Sequence, residues 1–324
     1  MKRLILTSSG GVELVGTDRA DVIIPITFNF TWGELPAPEK LAFRLAARSN
    51  LHGRGEHWSD YAGKVRREGE SKDLSLIEYC EAYDEIELWL DPGAIDQLLL
   101  LWLLDFFRPY PDVISKLTLR LVDFHFGTAL PGLLPKWKGP RVAVTESELD
   151  TASSSWQAYR STTPKACFGL LSKDLSVLPL LRPALVELLE ELPGPTGLGN
   201  TESRLLELVA RGYQLTNVLF HLRSLRRTHI FWEVQIGYLI DGLAHGSAPA
   251  LAGLDEEIRT LTREDLPNRH AAYLRSRLSI TDFGRSVLRH EEDFSRHNPI
   301  DRWWGGTHLT NDRMWRWQPT LVKP

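Results

Sequence analysis

Short apolar runs alternate with longer helical patterns through the first 150 residues of the chain. Four runs of apolar and branched residues predict β-strands at residues 3–7, 21–27, 85–90 and 116–123. Apolar positions at helical spacing predict helices between them, at residues 40–48, 59–70 and 96–107. Strands separated by helices need crossover connections, so this order predicts an α/β, Rossmann-like domain with a mainly parallel sheet. Pro25 cannot donate to a ladder, which favours an edge position or a later start for the second strand.

The following part of the chain is predicted to be helical. A proline- and glycine-containing connector at residues 131–140 precedes a helix that begins at the capping sequence Thr145-Glu-Ser-Glu. A strongly apolar helix is predicted at residues 175–192 and ends at Pro193-Gly-Pro-Thr-Gly-Leu-Gly, the clearest linker in the chain. Three more helices are predicted at residues 201–212, 215–222 and 228–245, the first with Gly212 as its C-cap.

A strand, a short helix and a tryptophan-rich hairpin are predicted after these helices. Residues 278–288 carry the strand and the helix, and the hairpin holds Trp303, Trp304, Trp315 and Trp317. The tryptophans are expected to pack as the hairpin core rather than to stack on bases, with Asp301-Arg302 as a polar lock. This order is typical of a winged helix. The chain therefore divides into an α/β domain at residues 1–140, a helical connector at 141–196 and a winged-helix-like α+β domain at 197–324.

Composition restricts the class of protein. The 324 residues are 43% hydrophobic and 25% charged, as expected for a soluble globular protein of two domains. Cys80 and Cys167 show no metal-binding or redox spacing, which favours free thiols and a cytoplasmic location. The longest apolar stretch, residues 97–107, is too short to span a bilayer, so no membrane association is expected.

Charge is distributed unevenly along the chain. Within a net charge of −4, residues 1–150 hold 17 basic and 23 acidic residues, whereas residues 197–324 hold 17 and 15. A near-neutral C-terminal part permits contact with nucleic acid without requiring it. Its candidate DNA-binding residues precede the third helix and could equally pair with the acidic N-terminal domain; they are Arg223, Arg226 and Arg227. That helix offers few polar side chains for base readout.

Two stretches carry a resemblance to a known family. Glu87-Leu-Trp-Leu-Asp-Pro-Gly-Ala-Ile-Asp-Gln-Leu98 resembles a signature that usually reads Leu-Trp-Phe-Glu-His-Asp, then Asp-Gln-Leu. Asp301-Arg-Trp-Trp-Gly-Gly-Thr-His-Leu309, with Trp315-Arg-Trp317, resembles a tail that usually reads Asp-Arg-Trp-Leu-Gly-Gly-Val-His-Leu, then Trp-Arg-Trp. The signature and the tail are both typical of the bacterial family called domain of unknown function 1835, which this chain resembles. The resemblance covers most of the chain and implies the α/β plus winged-helix-like architecture, but no activity.

The N-terminal part departs from that family. Relatives tend to carry Asn-Gly-Asp after the first strand, where this chain has Thr7-Ser8-Ser9-Gly10. Relatives have His-Glu-Gly-Pro after the second strand, where this chain has Thr31-Trp-Gly-Glu-Leu-Pro36. If the missing aspartate serves chemistry in relatives, this member has lost or changed it.

The ends of the predicted strands are the first place to look for a site, because open parallel sheets bind ligands outside the carboxyl ends of their strands. The loop Thr7-Ser8-Ser9-Gly10 offers hydroxyls and backbone N–H groups that could hold an anion, although an ordinary turn is the stronger interpretation. Glu34 follows the second strand. Arg44 projects from the next helix, where it could reach an anionic ligand or belong to a solvated face.

Acidic residues and a histidine mark the ends of the third and fourth strands. Asp91 and Asp96 bracket Pro92-Gly93, and Asp123 and His125 follow the fourth strand. Such groups could hold a divalent metal or act as acid and base. For Asp96 the stronger interpretation is capping of a buried helix, whereas Asp91 has no evident structural role and is the better catalytic candidate. His125 lies between two phenylalanines, which favours a partly buried structural histidine. No nucleophile motif is present.

These expectations combine into one leading hypothesis with two alternatives. The chain is expected to be a cytoplasmic bacterial protein that binds or senses a small anionic or nucleotide-like ligand at the edge of the α/β sheet, or that interacts with a protein partner. The first alternative is an enzyme that uses Asp91 and Asp96, with His125, through a metal or acid–base chemistry. The second is a DNA-binding regulator acting through the winged helix, which the net charge disfavours. The sequence identifies no cofactor or metal.

Overall fold

The computed structural model describes residues 1–15, 17–53, 55–60, 74–130, 132–221, 230–255 and 266–324. The chain forms two compact units. The first comprises Met1–Phe30, Leu35–Arg160 and Leu170–Ala184, and the second comprises Thr31–Glu34, Ser161–Gly169 and Leu185–Pro324. Residues 141–196, predicted as a connector, are thus shared between the two units. No helix in the described ranges is both long and apolar enough to cross a membrane.

A five-stranded sheet forms the centre of the first unit. Its strands are β1 (Arg3–Ser8), β2 (Val22–Ile26), β3 (Glu85–Leu90), β4 (Leu117–Leu121) and β5 (Arg141–Ala143), in the order β2-β1-β3-β4-β5. The first four strands are parallel, and β5 pairs antiparallel with β4. The mainly parallel sheet is therefore confirmed, and Pro25 lies on an edge strand. Strand β5 was not predicted, because three residues on an edge carry no periodic apolar pattern.

In the described ranges, six α-helices belong to the first unit. They are α1 (Pro38–Leu45), α2 (Leu76–Glu81), α3 (Ala94–Phe107), α4 (Pro111–Ile114), α5 (Leu133–Lys136) and α6 (Glu146–Tyr159). The capping prediction at Thr145 is confirmed, because its side chain accepts from the backbone of α6 while Glu148 binds the Thr145 N–H. Of the helix predicted at 59–70, only Trp58–Asp60 forms a short 3-10 turn; residues 61–73 lie outside the described ranges.

The two faces of the sheet are covered differently. On one face α3 contacts β3 and packs on α6, and its Trp102 ring meets the rings of Phe28 and Phe30 at 4.8 and 5.6 Å. On the other face a smaller cluster contains Ile5, Ile23 and Trp89 together with residues of short 3-10 turns. A nearly continuous apolar sequence in α3 is what burial on all sides requires.

The second unit is mainly helical. Its helices are α7 (Lys165–Leu170), α8 (Leu181–Glu190, which begins in the first unit), α9 (Asn200–Ala210), α10 (Thr216–His221), α11 (Glu233–Ala244), α12 (Leu266–Arg275), α13 (Asp282–Leu288) and α14 (Phe294–His297). The prediction of one helix over 175–192 started too early, because Pro179 disfavours helical backbone in the residue before it. Gly212, at φ 99°, follows α9 as predicted.

The described part of the second unit also contains three small antiparallel sheets. The strands pair as β6 (Leu251–Ala252) with β7 (Ser279–Ile280), β8 (Asp301–Trp304) with β9 (Thr307–Thr310), and β10 (Arg316–Trp317) with β11 (Leu321–Val322). In a winged helix the strand and the hairpin would share a sheet. Within the described residues β7 pairs with β6 instead, and the hairpin pairs only with itself. A winged helix is therefore not confirmed.

Two of the four tryptophans expected in the hairpin core are buried, and only Trp303 and Trp304 belong to the β8–β9 hairpin itself. Trp304 is buried and donates from Nε1 to the carbonyl oxygen of Leu188 at 2.6 Å, and Trp315 is buried too. Gly305, at φ 55°, takes the first position of the two-residue loop between β8 and β9, where a side chain would be strained. The polar lock expected from Asp301 and Arg302 under the indoles takes a different form. Asp301 contacts His308, and Arg302 donates to Glu202.

Candidate functional site

The carboxyl ends of β1, β3 and β4 come together at one edge of the sheet. Ser8 ends β1, Asp91 follows β3, His125 follows β4, and Asp96 lies in the first turn of α3. Hydrogen bonds and a 3.7 Å contact between His125 and Asp91 join these four residues, which we call the strand-end cluster. The strand order explains why the cluster lies here. Strand β2 pairs with one side of β1, and the chain then crosses over so that β3 pairs with the other side. The carboxyl ends of β1 and β3 therefore flank the topological switch point of the sheet.

Asp91 joins two loops through its carboxylate. Its Oδ1 accepts the N–H of Gly93 at 2.7 Å, and its Oδ2 accepts the N–H of Phe126 at 2.8 Å. Its Oδ1 also lies 3.7 Å from Nδ1 of His125, beyond hydrogen-bond length but within range of an ion pair. The Asp91 side chain is 13% exposed and that of His125 32%. Asp91 thus has the structural role that the sequence did not reveal: it holds the loops after β3 and β4 in place.

Asp96 is the buried acid of the cluster. Its Oδ2 accepts the hydroxyl of Ser8 at 2.8 Å and the N–H of Asp91 at 2.9 Å. Burial, and then the nearby Asp91 carboxylate, raise the pKa of Asp96 well above its usual range, and these two hydrogen bonds oppose the rise without cancelling it. The expected capping role takes another form, since this carboxyl binds the end of β3 across the turn that leads into α3.

The hydroxyls of Thr7 and Ser8, the last two residues of β1, form hydrogen bonds within the fold. Thr7 Oγ1 donates to the carbonyl oxygen of Trp89 at 2.7 Å, and Ser8 Oγ accepts the N–H of Gly10 at 3.2 Å. Ser9 and Gly10 are exposed. A Cβ added at Gly10 would lie 3.0 Å from Cβ of Phe126, so this turn packs beside the loop that carries His125.

The remaining predicted residues lie elsewhere. Glu34 is exposed and belongs to the second unit, and Asp123 is exposed just after β4. The guanidinium of Arg44 stacks over the ring of Phe28 at 5.2 Å. Arg223, Arg226 and Arg227 lie outside the described residues.

The chemistry that the cluster offers is hydrogen bonding and proton transfer. A carboxylate beside an imidazole can orient the ring, and a buried carboxyl with a raised pKa keeps its proton to a higher pH than an exposed one. In the part of the chain that the structure describes, no group of three or more His, Cys, Asp or Glu side chains is arranged to hold a metal ion.

Three further residues shape the cluster, and the sequence analysis did not single them out. Gln97 donates from Nε2 to the carbonyl oxygen of Asp91 at 2.7 Å. A Cβ on Gly93 would lie 2.9 Å from Oδ1 of Asp91 and 3.3 Å from Nδ1 of His125, so this position needs a glycine. The turn sequence Asp-Pro-Gly could have identified Gly93. No local signal identifies the N–H of Phe126, since its partner Asp91 is 35 residues away.

No protein-family model matches the chain, and no curated protein matches it significantly. The resemblance to domain of unknown function 1835 thus stays an expectation from sequence, and the function is argued from the site.

Proposed function

We propose that the first unit binds a small anionic or nucleotide-like ligand at the carboxyl end of its parallel sheet. The position of the strand-end cluster carries this proposal. Ser8 and Asp91 flank the switch point between β1 and β3, the place where open α/β sheets bind their ligands. Asp91 and Asp96 hold the loops around this position by hydrogen bonds, and a fixed arrangement of loops lowers the entropy cost of binding.

The exposed groups at this edge suit a ligand of negative charge. The half-buried imidazole of His125 and the exposed Ser9-Gly10 turn lie on adjacent loops. The acids behind them are engaged: Asp91 accepts two backbone N–H groups, and burial favours the neutral form of Asp96. An anion would therefore meet hydrogen-bond donors at the surface of the cluster rather than open carboxylates.

Calorimetric titration and thermal shift with inorganic phosphate, AMP and ATP test this proposal. A ligand that binds only the folded state stabilises it by about 2.7 kcal/mol at a hundred times its Kd. His125→Gln should weaken binding about tenfold or more, since a hydrogen bond to a charged group contributes about 1.5–3 kcal/mol. His297→Gln, at an exposed histidine of α14, is the matched control and should change nothing. No binding of phosphate or either nucleotide would overturn the proposal.

Acid–base catalysis by the same cluster is a second candidate. It is favoured by the contact between Asp91 and His125 and by the raised pKa of Asp96. Hydrolysis of p-nitrophenyl phosphate and p-nitrophenyl acetate separates the two candidates. Catalysis predicts turnover that Asp91→Asn abolishes while the variant still binds phosphate, whereas a binding protein shows no turnover with either ester.

Winged-helix architecture and DNA binding by the second unit remain a third prediction. The order of α9, α10 and α11 before a strand supports it, and the pairing of β7 with β6 does not. Duplex DNA titrated at about 50 mM and about 200 mM salt tests it, since phosphate contacts make affinity fall steeply with salt. Absence of binding at the lower salt would contradict this prediction.

A further inference from the structure

A cavity of about 620 Å³ lies within the second unit. One face of α11 lines it, with Tyr238, Asp241 and His245 three and four residues apart on the same side of the helix. Trp32 and the first residues of β8 line other parts of the wall. The volume is in the range of pockets that hold small organic molecules, about 300–1,000 Å³.

Trp32 forms an aromatic wall that is fixed in place. Its ring meets Phe231 edge-on with centroids 5.6 Å apart, and it lies 5.6 Å from the ring of Tyr238. The preceding residue is anchored as well, because Thr31 Oγ1 donates to the carbonyl oxygen of Ile230 at 2.8 Å. The indole nevertheless remains 36% exposed. A large aromatic ring held by its neighbours yet open to solvent is suited to contact with a ligand.

Among the charged side chains of the cavity wall, the most exposed one is a carboxylate. Arg302 donates to Glu202 at 2.8 Å and more weakly to the carbonyl oxygen of Glu191, so its guanidinium is already directed to protein acceptors. Asp241 is fully buried in the wall. Asp301 is 81% exposed and contacts Nε2 of His308 at 2.6 Å. A ligand entering the cavity therefore meets an aromatic face and the carboxylate of Asp301.

We propose that this cavity binds a small organic cation, a primary or quaternary ammonium, with Trp32 against its positive end and Asp301 as the counter-charge. Tryptophan is the strongest aromatic partner for such cations, and partial enclosure increases the attraction. An anion would have to compete with the largely buried Glu202 carboxylate for the guanidinium of Arg302, and Glu202 would lose its ion pair while still accepting the N–H of Gly199. The site lies in the second unit and does not depend on the function proposed for the first.

Calorimetric titration of the full chain with choline, butylamine and 3,3-dimethylbutan-1-ol tests this proposal. The alcohol has the shape of choline without its charge, so choline and butylamine should bind and the alcohol should bind far more weakly. Trp32→Leu should weaken choline binding about 2- to 30-fold, the range that measured cation–π contacts imply. Tyr213→Leu, which removes another exposed aromatic ring, should leave the affinity unchanged.

A second pair of variants tests the counter-charge and does not depend on the folding of Trp32→Leu. Asp301→Asn should weaken choline binding about 2- to 5-fold at low salt, as for exposed ion pairs, and Asp312→Asn, at an exposed aspartate after β9, should have no effect. Equal binding of choline and its neutral analogue would overturn the proposal. So would absence of binding by both amines, or unchanged choline affinity in Trp32→Leu and Asp301→Asn. Phosphate binding at the strand-end cluster is measured separately, so either proposal can fail alone.

Discussion

The strand-end cluster of the first unit and the cavity of the second unit both contain carboxylates, but they hold them differently. In the cluster, Asp91 and Asp96 accept backbone N–H groups. In the cavity, the mostly exposed Asp301 contacts the side chain of His308. A carboxylate bound to the backbone sets the path of the chain, whereas one bound to a side chain mainly positions that side chain. We therefore expect fold and function to be hard to separate in the cluster and easy to separate in the cavity.

The largest expected effect comes from removing the carboxylate of Asp91. Asp91→Ala leaves the N–H groups of Gly93 and Phe126 without their acceptor at a half-buried edge. Each buried unsatisfied donor costs about 1–3 kcal/mol, so the free energy of unfolding should fall by roughly 2–4 kcal/mol. Urea denaturation followed by circular dichroism measures the change.

The matched variant in the cavity is Asp301→Ala. Because Asp301 is mostly exposed, its loss should lower the free energy of unfolding by about 1 kcal/mol or less. Equal effects of the two substitutions would remove the distinction between the two regions.

Glu191 is a carboxylate of the second unit that resembles the acids of the cluster, since backbone also binds its buried side chain. Both its oxygens accept the N–H of Thr201, at 3.1 and 3.2 Å, and burial raises the pKa of Glu191 to about 7 from an ordinary 4.5. The folded state therefore holds this proton more tightly than the unfolded state. The resulting stability is fully present below about pH 4.5 and is lost as the pH rises through about 7.

Glu191→Gln should remove this dependence, because the amide keeps an acceptor and never ionises. The stability of the variant relative to wild type should rise by on the order of 3 kcal/mol between acidic pH and about pH 8. The pKa of Asp96 in the first unit is also raised, and this affects variant and wild type alike. The difference in stability between the two proteins therefore reports on Glu191. Urea denaturation across the pH range measures it, with the exposed Glu292→Gln as control. A constant difference would show that Glu191 ionises normally.

The smallest expected effect is a gain in the second unit. His290 adopts φ 59° directly after Arg289, the C-cap of α13. Glycine has no Cβ to strain this left-handed backbone, so His290→Gly should raise the free energy of unfolding by about 0.5–1 kcal/mol. Thermal unfolding measures the gain, and His297→Gly, inside α14, should lower stability. A lower melting temperature for His290→Gly would mean that contacts of the imidazole outweigh the strain.

Much of the first unit follows from patterns among neighbouring residues. Strands were predicted at residues 3–7 and 85–90, where the structure has β1 (Arg3–Ser8) and β3 (Glu85–Leu90), and the capped start of α6 was predicted too. Apolar runs and capping residues act within a few positions of one another, so the local sequence reveals them. The pairing of β7 with β6 was not predicted, since two-residue strands are selected by their partners rather than by their own sequence.

The candidate site shows the same division. The rule for open parallel sheets directed attention to Asp91 and Asp96 from strand positions alone. It did not show that Asp91 binds the N–H of Phe126, or that the Thr7 hydroxyl bonds to Trp89, 82 residues along the chain. The rule also gave no indication that Trp32 lies beside Tyr238 in the wall of a cavity.

Local sequence thus decided the elements, their ends and the edge of the sheet at which polar residues collect, because propensity, periodicity and capping depend on residues close in the chain. Tertiary packing decided which N–H groups Asp91 binds, how far burial raises the pKa of Asp96, and which side chains enclose the cavity. Those properties depend on distances and solvent exclusion between segments far apart in sequence, and no short stretch of residues contains them.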